Sequence, residues 1–127
     1  MPNPSTPKRG KNHMASTNLP GPFALTDAQI NSTVTKVSPG AYALGRVDEN
    51  GVFLVERVGR SDYDLNNRLH DYVGKYPSFK ADYFPSAAAA FHKECQLFHD
   101  FRPTDNDLHP DRPNGLNLRC LHCPEID

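Results

Sequence analysis

Long apolar runs are missing from this 127-residue sequence, and none approaches the roughly 20 residues that a membrane-spanning helix needs. The N-terminal stretch also lacks the apolar core of a secretory signal. Both absences predict a soluble, cytoplasmic protein with no membrane partner, whose thiols stay reduced and able to bind metal. Acidic side chains are absent from the first 18 residues, which carry three basic ones among Pro, Ser, Thr and Asn. With so few apolar groups to offset the entropy of ordering, that segment is predicted to be disordered. Within it, His13-Met14-Ala15-Ser16 resembles a cloning scar, and a basic arm touching nucleic acid is the competing reading. The rest of the chain holds 11 Lys/Arg against 15 Asp/Glu, a formal net charge of −4. That balance argues against a broad cationic face gripping long nucleic acid, and leaves room for a small local site.

Cysteine is scarce, and all three copies fall in one late stretch: Cys95 followed by His99, then Cys120-x-x-Cys123. The later pair has the spacing of a zinc knuckle, and Cys95 and His99 lie four apart in a predicted helix, so both leave one face. Three thiolates and one imidazole make a closed tetrahedral set suited to structural Zn²⁺. His109 competes with His99 for the fourth place, and His122 lies inside the knuckle. His99 is preferred because its spacing from Cys95 preorganises half of the site. The plain alternative is three unrelated cysteines, one buried and two in a tail.

A chain of this length supports one domain, placed at 23–127 behind a disordered, tag-like segment 1–22. Thr26-Asp27-Ala28-Gln29 is a helix start. Ser38-Pro39-Gly40 breaks the chain before a short strand, Ala41–Gly45. Asp48-Glu49-Asn50-Gly51 supplies the turn into a second strand, Val52–Val58, ended by Gly59. A helix capped by Asp62 or Asp64 runs to about Tyr72, with Leu65, Leu69 and Tyr72 on one face. Phe79–Phe84 alternates as a third strand, and Ser86 caps a strong helix from Ala87 to about Phe101. The predicted fold is therefore α/β of the α+β type, a small three-stranded antiparallel sheet flanked by helices. The tail, 103–127, is too poor in apolar residues to fold unaided, and a metal at Cys120 and Cys123 would pin it onto the last helix.

Gly40-Ala41-Tyr42 opens the first strand and Arg57-Val58-Gly59 closes the second. Arg68 and Tyr72 follow on the helix, Glu94 lies on the last helix, and Asn106 comes twelve residues later. In this order and context the set resembles the GIY-YIG nuclease domain over roughly residues 38–108. The resemblance implies hydrolysis of a phosphodiester in nucleic acid, with DNA as the foremost substrate. It also implies one divalent metal, Mg²⁺ or Mn²⁺, held by Glu94 as the cofactor-binding residue. Tyr42 would help activate water, and Arg68 would stabilise charge on the phosphoryl oxygens. Tyr72 and Asn106 would be supporting hydrogen-bonders. A hard carboxylate and a planar guanidinium are chemically suited to those tasks.

One departure bears on catalysis. Arg57 stands where the family pattern has its second tyrosine, and an arginine is a poor general base. The loop from Gly59 to Arg68 is one residue longer than usual, with Arg60 placed to reach a phosphate. A catalytically impaired binding module on the same fold, for nucleic acid or protein, is the alternative. A third is a zinc-stabilised interaction protein with no such site. Glu94 and Cys95 are adjacent on a helix and so point about 100° apart, which separates a cleft metal from the zinc.

Overall fold

The computed structural model describes residues 16–106 and 108–121. Seven elements follow one another: β1 (Phe23–Ala24), α1 (Asp27–Thr33), β2 (Gly40–Val47), β3 (Phe53–Ser61), α2 (Leu65–His70), β4 (Ser78–Tyr83) and α3 (Ala87–Phe101). The class is α+β, as predicted, but the sheet has four strands, not three. Its order is β1-β4-β2-β3, antiparallel throughout. The added strand is two residues long, pairing Phe23 with Phe79 and Ala24 with Ser78; so short a segment carries no periodicity to read.

Local chemistry explains the element boundaries. Thr26, Asp64 and Ser86 each cap a helix by accepting from a backbone N–H three residues on. At the β2–β3 turn, Asp48 Oδ1 accepts from the N–H groups of Asn50 and Val52, while Gly51 takes the positive φ of 84°. Arg102 stops α3 in the left-handed conformation. Gly59 does not end β3, which runs on to Ser61, and α2 closes at His70, leaving Tyr72 in the following turn.

Period-two alternation on β2 divides the interior. Tyr42 and Leu44 join Ile30, Leu65, Leu69 and Phe79 on the face covered by α1 and α2. Ala43 faces the other way, with Val55, Val58, Leu97 and Phe101 beneath α3. Leu19 is buried in that second cluster, and Pro20 O accepts from Ala81 N at 3.2 Å. Thr17 and Leu19, within the 1–22 stretch expected to be disordered, are thus buried. One leucine sufficed because the sheet offered both an apolar gap and a backbone donor. Residues 1–15 lie outside the described part.

Candidate active site and metal centre

A cleft of about 500 Å³ runs beside the end of β3, and Tyr42, Arg57, Arg68, Tyr72, Glu94 and Asn106 all line it. They come from β2, β3, α2, the turn after α2, α3 and the tail, so only the tertiary fold brings them together. Arg60, Asp62, Tyr63, Asp111 and Arg112 complete much of the wall. Four arginines therefore converge on a chain whose net charge is −1. Three carboxylates, those of Asp62, Glu94 and Asp111, line the same cleft.

Tyr42 is buried at 2 % exposure in the middle strand, its ring 5.8 Å from that of Tyr72. A Cβ on Gly59 would collide with the Tyr42 hydroxyl and ring. Glycine at 59 is what lets the tyrosine lie across β3. Burial, then the neighbouring Tyr72, pushes the Tyr42 hydroxyl well above the ordinary tyrosine range. A neutral phenol of this kind can both donate and accept a hydrogen bond.

Arg57 donates from Nε to Tyr76 Oη at 3.2 Å, and Tyr76 donates to Asp105 Oδ2 at 2.6 Å. Its guanidinium also lies 5.7 Å from the centre of the Tyr72 ring. Asn106 lines the cleft, yet its amide is engaged with backbone. Its Oδ1 accepts from Val58 N at 2.7 Å and its Nδ2 donates to Val58 O at 3.1 Å. Asn106 supports the strand that carries Arg57 and Gly59. Arg68 is about half exposed, with one long contact of 3.6 Å to Asp71.

Glu94 is 8 % exposed. Desolvation raises its pKa against the pull of Arg60, and Asp62 and Asp111 add to the rise. Arg60 Nη1 donates to Glu94 Oε1 at 2.8 Å and Arg60 Nε to Asp62 Oδ1 at 2.6 Å. Arg60, expected to reach toward phosphate, is held instead between two carboxylates.

Behind α3 lies a second constellation. Ligand atoms of Cys95, His109 and Cys120 all fall within 4.8 Å of one another, and the buried thiols of Cys95 and Cys120 pack with Phe91 and Leu118. Soft thiolates plus imidazole are the donor set zinc prefers. His109 Nδ1 pairs with Pro110 O at 2.9 Å, the kind of outer contact that orients a metal-binding imidazole. His109 occupies the place for which helical spacing had favoured His99. His99 stands beside it, the two Nε2 atoms 3.3 Å apart. The tail turns back after Arg102 and carries His109 to the cysteines, a reversal that local spacing on a helix does not foretell. Cys123 lies outside the described residues. A further cavity of about 620 Å³ borders this cluster and shares Asp111, Arg112 and Asn114 with the cleft. The tail stretch carrying Asp111, Arg112 and Asn114 is a wall common to both.

Sequence reasoning missed Asp62, Tyr76, Asp111 and Arg112. Asp62, two residues from Arg60, could have been flagged as an ion-pair partner; the others carry no local signal. Among the described residues, no helix is long and apolar enough to cross a membrane. Comparisons with protein families, curated proteins and solved structures give no match for this chain.

Proposed function

We propose that this chain is a small nuclease of the GIY-YIG type, hydrolysing phosphodiester bonds in DNA or another nucleic acid. The observation that carries the reading is the convergence of Tyr42, Arg57, Arg68, Tyr72, Glu94 and Asn106 on one cleft. These positions were singled out from a pattern spread over 65 residues of sequence, and a chance pattern has no reason to close into one cavity.

Glu94, with Asp62 beside it, offers the all-oxygen donors that Mg²⁺ or Mn²⁺ takes, once Arg60 swings off its carboxylate. Such an ion supplies Lewis-acid polarisation of the scissile phosphate when bound. The protein's own groups do the rest. Arg68 and Arg57 receive the phosphoryl oxygens and offset the charge that builds there. Tyr42 orients the water whose oxygen bonds to phosphorus as the bond to the leaving strand breaks. The water's proton passes to solvent and the leaving oxygen is protonated in turn. Zinc at Cys95, His109 and Cys120 would be structural, securing the tail that forms part of the cleft wall. Reduced thiols fit a cytoplasmic setting.

A second reading has its own support: a binding module on the same fold with turnover lost. Tyr42 is a neutral phenol, Arg57 stands in the second tyrosine's place, and Arg60 holds Glu94. The deciding experiment is incubation with single- and double-stranded DNA and RNA, with and without Mg²⁺ or Mn²⁺, wild type against Glu94→Ala. Metal-dependent cutting that Glu94→Ala abolishes is the expected result. Binding without cutting, equal for both proteins, would select the binding module, and no binding to any of these nucleic acids would sink the nuclease and the nucleic-acid version of the module.

A further inference from the structure

Of the five tyrosines in the chain, four have partners in the structure. Tyr42 packs on Tyr72, Tyr76 bonds to Asp105, and the Tyr83 hydroxyl accepts from the backbone N–H groups of Thr35 and Lys36. Tyr63 is different. It is 77 % exposed at the cleft wall, and its ring makes no ring-stacking or cation–π contact among the described residues.

The backbone beneath that ring is fixed on both sides. Ser61 Oγ, on a buried residue, accepts from Tyr63 N at 3.4 Å and from Asp64 N at 3.0 Å. Before it, Asp62 is tied to Arg60; after it, Asp64 caps α2 and Leu65 N donates to Ser38 O at 2.9 Å. An unoccupied ring on an anchored backbone loses little conformational freedom when it binds a flat partner. The cleft around it holds cations suited to phosphate. Among the described residues, Arg68 has one ion pair, the long one to Asp71, and Arg112 has none.

We infer that the cleft takes its nucleic acid as a single strand, with Tyr63 stacking on one unpaired base while Arg68 and Arg112 hold neighbouring phosphates. This rests on the nuclease reading and narrows its substrate class. In a duplex both faces of each base are covered by the stack, so a tyrosine ring can reach one only where pairing is absent or broken. Stacking requires no particular base, so the preference concerns strandedness and not sequence.

Fluorescence anisotropy tests this on the full chain, without added divalent metal. The probes are a fluorescein-labelled oligothymidine single strand and a mixed-sequence duplex of equal length. Wild type is expected to bind the single strand more tightly than the duplex. Tyr63→Ala should weaken single-strand binding by about 5- to 150-fold, the loss of one stacked base. Tyr63→Phe, which keeps the ring, should stay near wild type, and duplex binding should not change in either variant. Unchanged single-strand binding in Tyr63→Ala would overturn the inference, as would an equal loss in Tyr63→Phe, which would assign the effect to the hydroxyl. A wild-type preference for duplex would overturn it too and leave the nuclease reading standing. Binding to neither probe would remove that reading and the inference with it.

Discussion

The guanidinium of Arg60 lies 2.8 Å from the carboxylate of Glu94, in a contact whose two side chains are only 11 % and 10 % exposed. The residue proposed to hold the divalent metal is thus already paired with a cation supplied by the protein. Removing Arg60 leaves a buried carboxylate unpaired, which costs about 3 kcal/mol. Arg60→Met should therefore lower the melting temperature, and should also lower the Mn²⁺ concentration needed for half-maximal cleavage. Metal titration of activity checks this, and an unchanged midpoint would mean that Arg60 does not compete for Glu94.

Under the proposed nuclease function, Arg68 separates catalysis from stability. Its contact to Asp71 is long and exposed, and such surface pairs contribute about 0–1 kcal/mol. Arg68→Ala should melt close to wild type and cleave roughly 10²- to 10³-fold more slowly, the effect of losing one donor to a developing anion. Single-turnover rates beside a thermal melt give both numbers.

Tyr42 gives a pH signature. Its hydroxyl titrates well above the ordinary value when folded, so the unfolded chain releases that proton first as pH rises. Between the unfolded pKa of about 10 and the higher folded one, the folded state binds more protons and stability falls with increasing pH. Below that window the full stabilisation is present. Tyr42→Phe should flatten the alkaline decline in urea midpoints; an identical slope in the variant would place the proton elsewhere.

Gly59→Ala tests the same tyrosine from the opposite strand. The added methyl meets the Tyr42 ring and hydroxyl, and overpacking of this kind costs about 1–3 kcal/mol. Activity should fall further than stability accounts for, because Tyr42 must leave the cleft. Urea melts and cleavage rates on one preparation compare the two losses.

Metal content distinguishes the histidines. Purified protein should carry about one zinc per chain, the stoichiometry of a single tetrahedral site, and His109→Ala and Cys120→Ser should lose it. His99→Ala should retain more. Chelation should make the tail protease-sensitive while the sheet persists, since the two clusters flanking β2 contain no residue beyond Phe101. Zinc retention in His109→Ala would transfer the ligand role.

Much of this architecture could be read from local chemistry. The caps Thr26, Asp64 and Ser86, the Asn50-Gly51 turn and the alternation in β4 act over a few residues, so spacing reveals them. The cleft residues were legible only as members of a family-like order; nothing local in Arg57 announces Tyr76, 19 positions on. His70 illustrates the same limit. It looks like a surface histidine, yet its Nδ1 meets Asp27, 43 positions away. His109 was the harder case, because its place depends on where the tail reverses.

Asn106 has a consequence for how copies of this chain meet. β3 is an outer strand of the sheet, and an outer strand presents backbone groups on which another chain can build. The Asn106 amide covers both polar groups of Val58, and Asp105 N donates to Glu56 O at 2.9 Å. Two successive outward-facing positions are thereby closed to an incoming strand. Asn106→Ala reopens one of them, and the cost would surface as self-association at high concentration.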